Sequence, residues 1–312
     1  MTSAGPVDLS VNIGALRLRN PIIAASGTFG YGLEFAHLVD LNKIGGFVTK
    51  GLSLNPIQGS SAPRLCHTPS GMLNAVGLQN VGVQAFVAEK LPVLRKYDTP
   101  VLINIFGYST EEYSEVISIL EDAPGIAGYE LNISCPNVKQ GGIQFGSDPG
   151  MVSQVVGVAR RAAASRPLWV KLSPLVTDIR VIAKATEEAG ADGLTVANTY
   201  PAMSIDVKSH RFRLGCPTGG LSGPAIRPIT LRLVWEAAKA VRIPIIGLGG
   251  VETVDDVLEY LSVGATAVQV GTASFVDPGA IESLAVELEG QISRYKIKNI
   301  KDLTEVLVPK LG

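Results

Sequence analysis

The chain has 312 residues, 46% hydrophobic and 18% charged, with a formal net charge of -1 and a pI of about 6.3. That balance leaves no basic stripe for a nucleic-acid backbone, and no apolar run approaches the ~18 residues of a membrane span. The N-terminus lacks the charged and apolar regions of a signal peptide. The three cysteines, Cys66, Cys135 and Cys216, stand far apart, which suits a reduced cytoplasmic protein and offers no disulfide, zinc or iron–sulfur spacing.

In chain order, Val7–Arg19 reads first, as a hairpin of Asp8–Ile13 and Leu16–Arg19 around a glycine turn. Apolar runs then predict eight strands: Pro21–Ala25, Gly46–Lys50, Pro100–Phe106, Ala127–Ile133, Pro167–Leu172, Gly190–Asn198, Ile243–Gly249 and Ala265–Gly271. Helical periodicity fills the intervals, as at Glu111–Asp122, Pro149–Ala164, Asp178–Ala189, Ala225–Val241 and Val254–Val263. Asp178 and Thr253 stand where helix N-caps are expected. Eight β-then-α units predict an α/β fold, a (β/α)8 TIM barrel formed as a single domain over residues 1–312. The hairpin would close the barrel bottom, and Ile300–Val308 would add a last helix. Two connections are long, Leu52–Asn80 after the second strand and Thr199–Pro224 after the sixth. Both would lie over the carboxyl face, where barrel enzymes carry their chemistry.

Polar residues end the apolar strands: Lys50, Asn104, Asn132, Lys171 and Asn198, then Gly249-Gly250 and Gly271-Thr272. Each alone could be a structural hydrogen bonder, since a buried polar group needs a partner. Five around one barrel mouth would edge a flat ligand with donors and acceptors. The glycine pairs after strands seven and eight match the barrel phosphate site, where backbone N–H groups approach an anion. The alternative for each pair is an ordinary turn. A phosphate anchor and a polar ring together suggest flavin mononucleotide (FMN), with Lys171 placed to offset negative charge on the reduced ring.

Cys135 opens the loop after the fourth strand, in Asn132-Ile133-Ser134-Cys135-Pro136-Asn137. It could be a buried structural thiol, a covalent nucleophile or a general base. The loop setting disfavours the first. His37, His67 and His210 form no paired motif with it, which disfavours the second. A base needs reach and some thiolate, about 3% at neutral pH for an ordinary thiol. The stretch Gly71 to Asn80, in the first long loop, is either a surface turn or a grip on a carboxylate through Asn74. No dinucleotide fingerprint is present, for Gly247-Leu248-Gly249-Gly250 runs into Val251-Glu252.

These residues make the chain recognisable. It resembles the catalytic subunits of class 1B, NAD-linked dihydroorotate dehydrogenases, nearly end to end. The similarity is carried by Asn20-Pro21, Ala25 to Gly30, Thr49-Lys50-Gly51, Asn74 to Asn80, Asn132 to Asn137, Val170 to Pro174 and Gly219 to Pro224. The resemblance implies oxidation of dihydroorotate to orotate in pyrimidine synthesis, with bound FMN. It implies that Cys135 takes the C5 proton while hydride leaves C6 for the flavin. Substrate would be held by Lys50, Asn74, Ala75, Val76, Gly77, Leu78, Asn132, Asn198 and Thr199. The flavin would be lined by Ser26, Lys50, Gly51, Asn104, Asn132, Lys171, Ala197, Gly223, Gly249, Gly250, Gly271 and Thr272. It also implies a partner subunit carrying FAD and a 2Fe–2S cluster, which passes electrons to NAD, and a dimer of this chain within a heterotetramer. The missing cluster cysteines and NAD fingerprint agree with that need.

One departure stands out. After Asn198-Thr199 the family usually has glycine before methionine, whereas here Tyr200-Pro201-Ala202-Met203 follows. Proline and alanine are less permissive than glycine, so the second long loop is expected to close differently. Class 1A enzymes, which pass electrons to fumarate as homodimers, share the base cysteine and are the alternative within the family. An alternative of another class is a non-catalytic flavin-binding barrel.

Overall fold

Eight short strands, buried along nearly their whole length, pair in parallel and close on themselves. The structure, a computed structural model, describes residues 7–133, 142–295 and 297–304. The barrel strands are Ile22–Ala24, Gly46–Val48, Val101–Ile105, Gly128–Asn132, Leu168–Lys171, Gly193–Val196, Ile245–Leu248 and Ala267–Val270. Each falls inside one of the eight apolar runs. Strands covered on both faces read as continuous hydrophobic segments, which is why these runs predicted them. Register places Asn132 beside Lys171 and Lys171 beside Thr195, so polar residues from adjacent strands reach one end of the barrel together.

The surrounding helices begin where side chains can satisfy their free N–H groups. Asp178 accepts from the Arg180 N–H to start Ile179–Glu188. Thr253 and Asp256 form a reciprocal capping box on Val254–Ser262. Thr110–Glu121, Pro149–Ala162 and Arg227–Ala238 match the other expected helices. Ala280–Arg294, which lies beyond the expected set, buries Ile281, Leu284, Leu288 and Ile292. Among the described residues, no helix is long and apolar enough to cross a membrane.

Val11–Ile13 pairs antiparallel with Leu16–Leu18 around Gly14, whose φ is +60°. Ile13 lies against the start of the sixth strand, where a Cβ on Gly193 would come within 2.8 Å of it. The hairpin therefore closes the amino end of the barrel, as expected. At the other terminus, Ile300–Leu303 forms a 3-10 turn instead of an α-helix. Residues 305–308 of that expected helix lie outside the described residues.

The two long connections are not plain loops. Tyr200–Ala202, Gly219–Ser222, Gly71–Asn74 and Leu65–Thr68 form, in that order, one antiparallel sheet. Gly71 to Asn80, read from sequence as a turn or a grip, thus begins as a strand. Tyr200-Pro201-Ala202 is one of its two edge strands, with Pro201 opposite Gly220. Proline is tolerated at an edge because its missing N–H need not face a partner. The departure at these positions is accommodated within paired structure.

Candidate active site

The carboxyl end of the barrel opens into a pocket roofed by the loop sheet. Ser26, Lys50, Gly51, Asn104, Asn132, Lys171, Ala197, Asn198 and Thr199 line it from the barrel side. Asn74, Val76, Gly77 and Leu78 line it from the first long loop, and Gly223, Gly249, Gly250, Gly271 and Thr272 from the far rim. Every expected site residue within the described set borders this one cavity except Ala75. Strand alternation explains the exception. Leu73 and Ala75 turn toward a small core with Leu214, while Asn74 and Val76 face the cavity. Cys135 lies outside the described residues.

The polar residues are held by their own hydrogen bonds. Asn198 Nδ2 donates to Asn132 Oδ1 at 3.5 Å, and the Thr199 N–H donates to Asn198 Oδ1 at 2.8 Å. The Tyr113 hydroxyl donates to the Asn132 carbonyl at 2.9 Å, which pins the end of the fourth strand. Asn74 Nδ2 donates to the Gly220 carbonyl at 3.2 Å, tying the first loop to the second. The Lys50 amine has its pKa lowered, chiefly by burial and then by the nearby Arg64 guanidinium. Lys171 is buried at the end of the fifth strand. Two amines are thus set in one cavity, where they attract an anion.

The glycine rim is tightly built. Gly250 has φ +69°, and a Cβ there would sit 2.7 Å from the Gly223 carbonyl oxygen and 2.9 Å from Arg227 Cβ. Gly223 has φ +94°, and its Cβ would meet Gly71 Cα at 2.8 Å. Thr272 Oγ1 donates to Ser222 Oγ at 2.7 Å. The loops after strands six and seven therefore meet backbone to backbone, and the loop after strand eight joins them through its Thr272 hydroxyl; backbone N–H groups gathered in this way can cradle a phosphate.

Three features suit a flat, polar-edged, phosphorylated group. The rim is a backbone cradle, the cavity wall carries two amines, and Asn104 Oδ1 is buried with no hydrogen-bond partner. A buried acceptor of this kind asks for a donor from a ligand.

Several residues on this site were not picked out from sequence. Thr28, Met72, Gln79, Ser222, Ile226 and Phe275 also border the cavity. Gln79 is held by Arg64 Nη1, which donates to its Oε1 at 2.7 Å. Beneath the polar ring lies Glu130, fully buried. It accepts from Asn104 Nδ2 at 2.8 Å, Thr195 Oγ1 at 2.7 Å and Gln269 Nε2 at 2.6 Å. Its position two residues before Asn132, on the same strand face, was the available signal.

The family description "Dihydroorotate dehydrogenase" matches residues 8–292 of this chain. The chain belongs to the dihydroorotate dehydrogenase family. A relative from Pelobacter propionicus is 54% identical over 96% of this chain and 98% of its own. One from Trichlorobacter lovleyi is 55% identical over the same shares. Both carry the name dihydroorotate dehydrogenase B (NAD(+)), catalytic subunit. A relative from Solibacter usitatus, 54% identical over 96% of this chain and 98% of its own, carries a provisional name in the fumarate-linked A class. Among dihydroorotate dehydrogenases, overall identity therefore separates the two classes poorly at this distance.

Proposed function

We propose that this chain oxidises (S)-dihydroorotate to orotate in cytoplasmic pyrimidine (UMP) synthesis, as an FMN-dependent catalytic subunit of the NAD-linked class. The observation that carries the reading is the single cavity that gathers both amines, all three strand-end asparagines and the glycine rim. In this reading Gly223, Gly249, Gly250, Gly271 and Thr272 hold the phosphate of FMN. Ser26, Gly51, Asn104, Lys171 and Ala197 line its ring. Bound FMN would supply the acceptor for the hydride leaving C6 of the substrate.

The protein's own groups do the rest. Lys50, Asn132, Asn198 and Asn74 hold the substrate's carboxylate and amide edges, and the loop containing Val76, Gly77 and Leu78 covers it from water. Cys135, three residues past Asn132, takes the C5 proton as its thiolate. Lys171 offsets the negative charge that builds up on the ring side. With hydride lost from C6 and a proton from C5, the C5–C6 bond becomes double.

In this reading a partner subunit would carry the FAD and the 2Fe–2S cluster that pass the electrons to NAD, with two copies of each subunit in a heterotetramer. Among the described residues, no group of three or more His, Cys, Asp or Glu side chains could hold a metal ion. The name of the Solibacter usitatus relative favours a second reading, the fumarate-linked class. Anaerobic reduction of the flavin by dihydroorotate, followed by separate addition of fumarate and of NAD to the isolated chain, tests both. Reoxidation by fumarate selects the second reading. No reoxidation by either, with NAD reduction restored by the partner subunit, selects the first.

A further inference from the structure

Glu130 lies inside the barrel with no cationic partner among the described residues. Its carboxylate receives three donors: the Asn104 amide, the Thr195 hydroxyl and the Gln269 amide. A carboxylate offers acceptors on every side, so the Asn104 amide has one satisfied orientation, with Nδ2 toward Glu130. The other end of that amide, Oδ1, is then the buried atom without a partner. Gly51 borders the same cavity, and a Cβ on it would sit 2.9 Å from Asn104 Oδ1. The lack of a side chain at Gly51 leaves room beside that oxygen at the cavity wall.

We propose that Glu130 is a positioning residue that fixes the polarity of the flavin site: it forces Asn104 to present an acceptor, and so selects a ring whose edge presents an N–H. An apolar group at 130 would leave the Asn104 amide free to turn either end toward the ligand. The inference rests on the reading of this cavity as an FMN site. The FMN ring carries one imide N–H between two carbonyls, and this is the donor that the Asn104 oxygen would meet.

The test is FMN affinity, measured by fluorescence quenching on flavin-free protein, alongside the melting temperature of that protein. Glu130→Met removes the acceptor at similar volume and should weaken FMN binding by about tenfold or more. In an Asn104→Ala background the same change should have less than a twofold effect. Glu130→Gln keeps an acceptor beside Asn104 and should recover most of the loss. If Glu130→Met does not fold, Glu130→Met combined with Thr195→Val and Gln269→Met also removes the stranded donors, and the same loss is expected. FMN binding within twofold of wild type in the Met variant would overturn the proposal. So would an equal loss in the Asn104→Ala background, or no recovery in Glu130→Gln. Wild-type protein that binds no FMN would instead sink the flavin reading on which the proposal stands.

Discussion

Replacing Gly250 with alanine puts the proposed phosphate rim under a defined load. Its φ of +69° lies in the left-handed region, and the new Cβ would approach the Gly223 carbonyl oxygen to 2.7 Å, with Pro224 Cα at 3.1 Å. Neither neighbour is a flexible side-chain end, so the loop must shift. The left-handed conformation costs alanine about 1–2 kcal/mol. Without ligand, the loop relieves this by moving; to bind phosphate it must return, and the strain reappears as lost affinity. FMN should therefore bind about 5- to 30-fold more weakly to Gly250→Ala. Gly290→Ala is the control: apart from its own helix backbone, nothing lies within 4 Å of its Cβ, inside the helix Ala280–Arg294. That change should leave FMN binding alone and stabilise the fold by about 1 kcal/mol, through helix propensity. Equilibrium titration with FMN and thermal melts of both variants measure this. A folded Gly250→Ala that binds FMN within twofold of wild type would refute the phosphate assignment.

Other expectations follow from the same site. Asn132→Ala should weaken orotate binding by about 1–3 kcal/mol, read by spectral titration; unchanged affinity would count against its role. Burial lowers the Lys50 pKa, so its charge in the folded state is a standing cost below that pKa. The cost is relieved as pH rises from the lowered folded value toward the unfolded 10.5, because the unfolded chain then binds more protons. Lys50→Met should thus stabilise the flavin-free protein at neutral pH, by a margin that narrows in alkaline melts, while orotate affinity falls. A margin independent of pH would contradict the burial argument. Cys135→Ala should slow flavin reduction by about 100- to 10,000-fold, and Cys135→Ser somewhat less, in stopped-flow mixing with dihydroorotate. Reduction within a few-fold of wild type would show that another group takes the proton.

The barrel was legible because its strands are buried on both faces, so each stood out as an apolar run ended by a polar or glycine residue. The caps Asp178 and Thr253 were legible because capping depends on a local side chain. The loop sheet was not. Gly71–Asn74 and Gly219–Ser222 are rich in glycine, and they pair across almost 150 positions, as Asn74 does with Gly220. Neither strand carries an alternation strong enough to announce itself. The same weak pattern hid the turn of Ala75 away from the cavity its neighbours face. Glu130 was passed over because one charged residue in an apolar run gives no sign of its partners, which come from strands 26, 65 and 139 residues away. The asparagines and lysines at the strand ends were legible as a ring once the barrel was assumed.

The central claim is that dihydroorotate reduces a flavin held in this cavity. Anaerobic titration of the purified, FMN-loaded chain with dihydroorotate, followed in the visible spectrum, tests it most directly. Stoichiometric bleaching of the flavin band, with orotate formed in equal amount and the bleaching lost in Cys135→Ala on the same timescale, is the predicted result. A flavin band that persists under excess dihydroorotate, or a purified chain that takes up no FMN, would contradict the account.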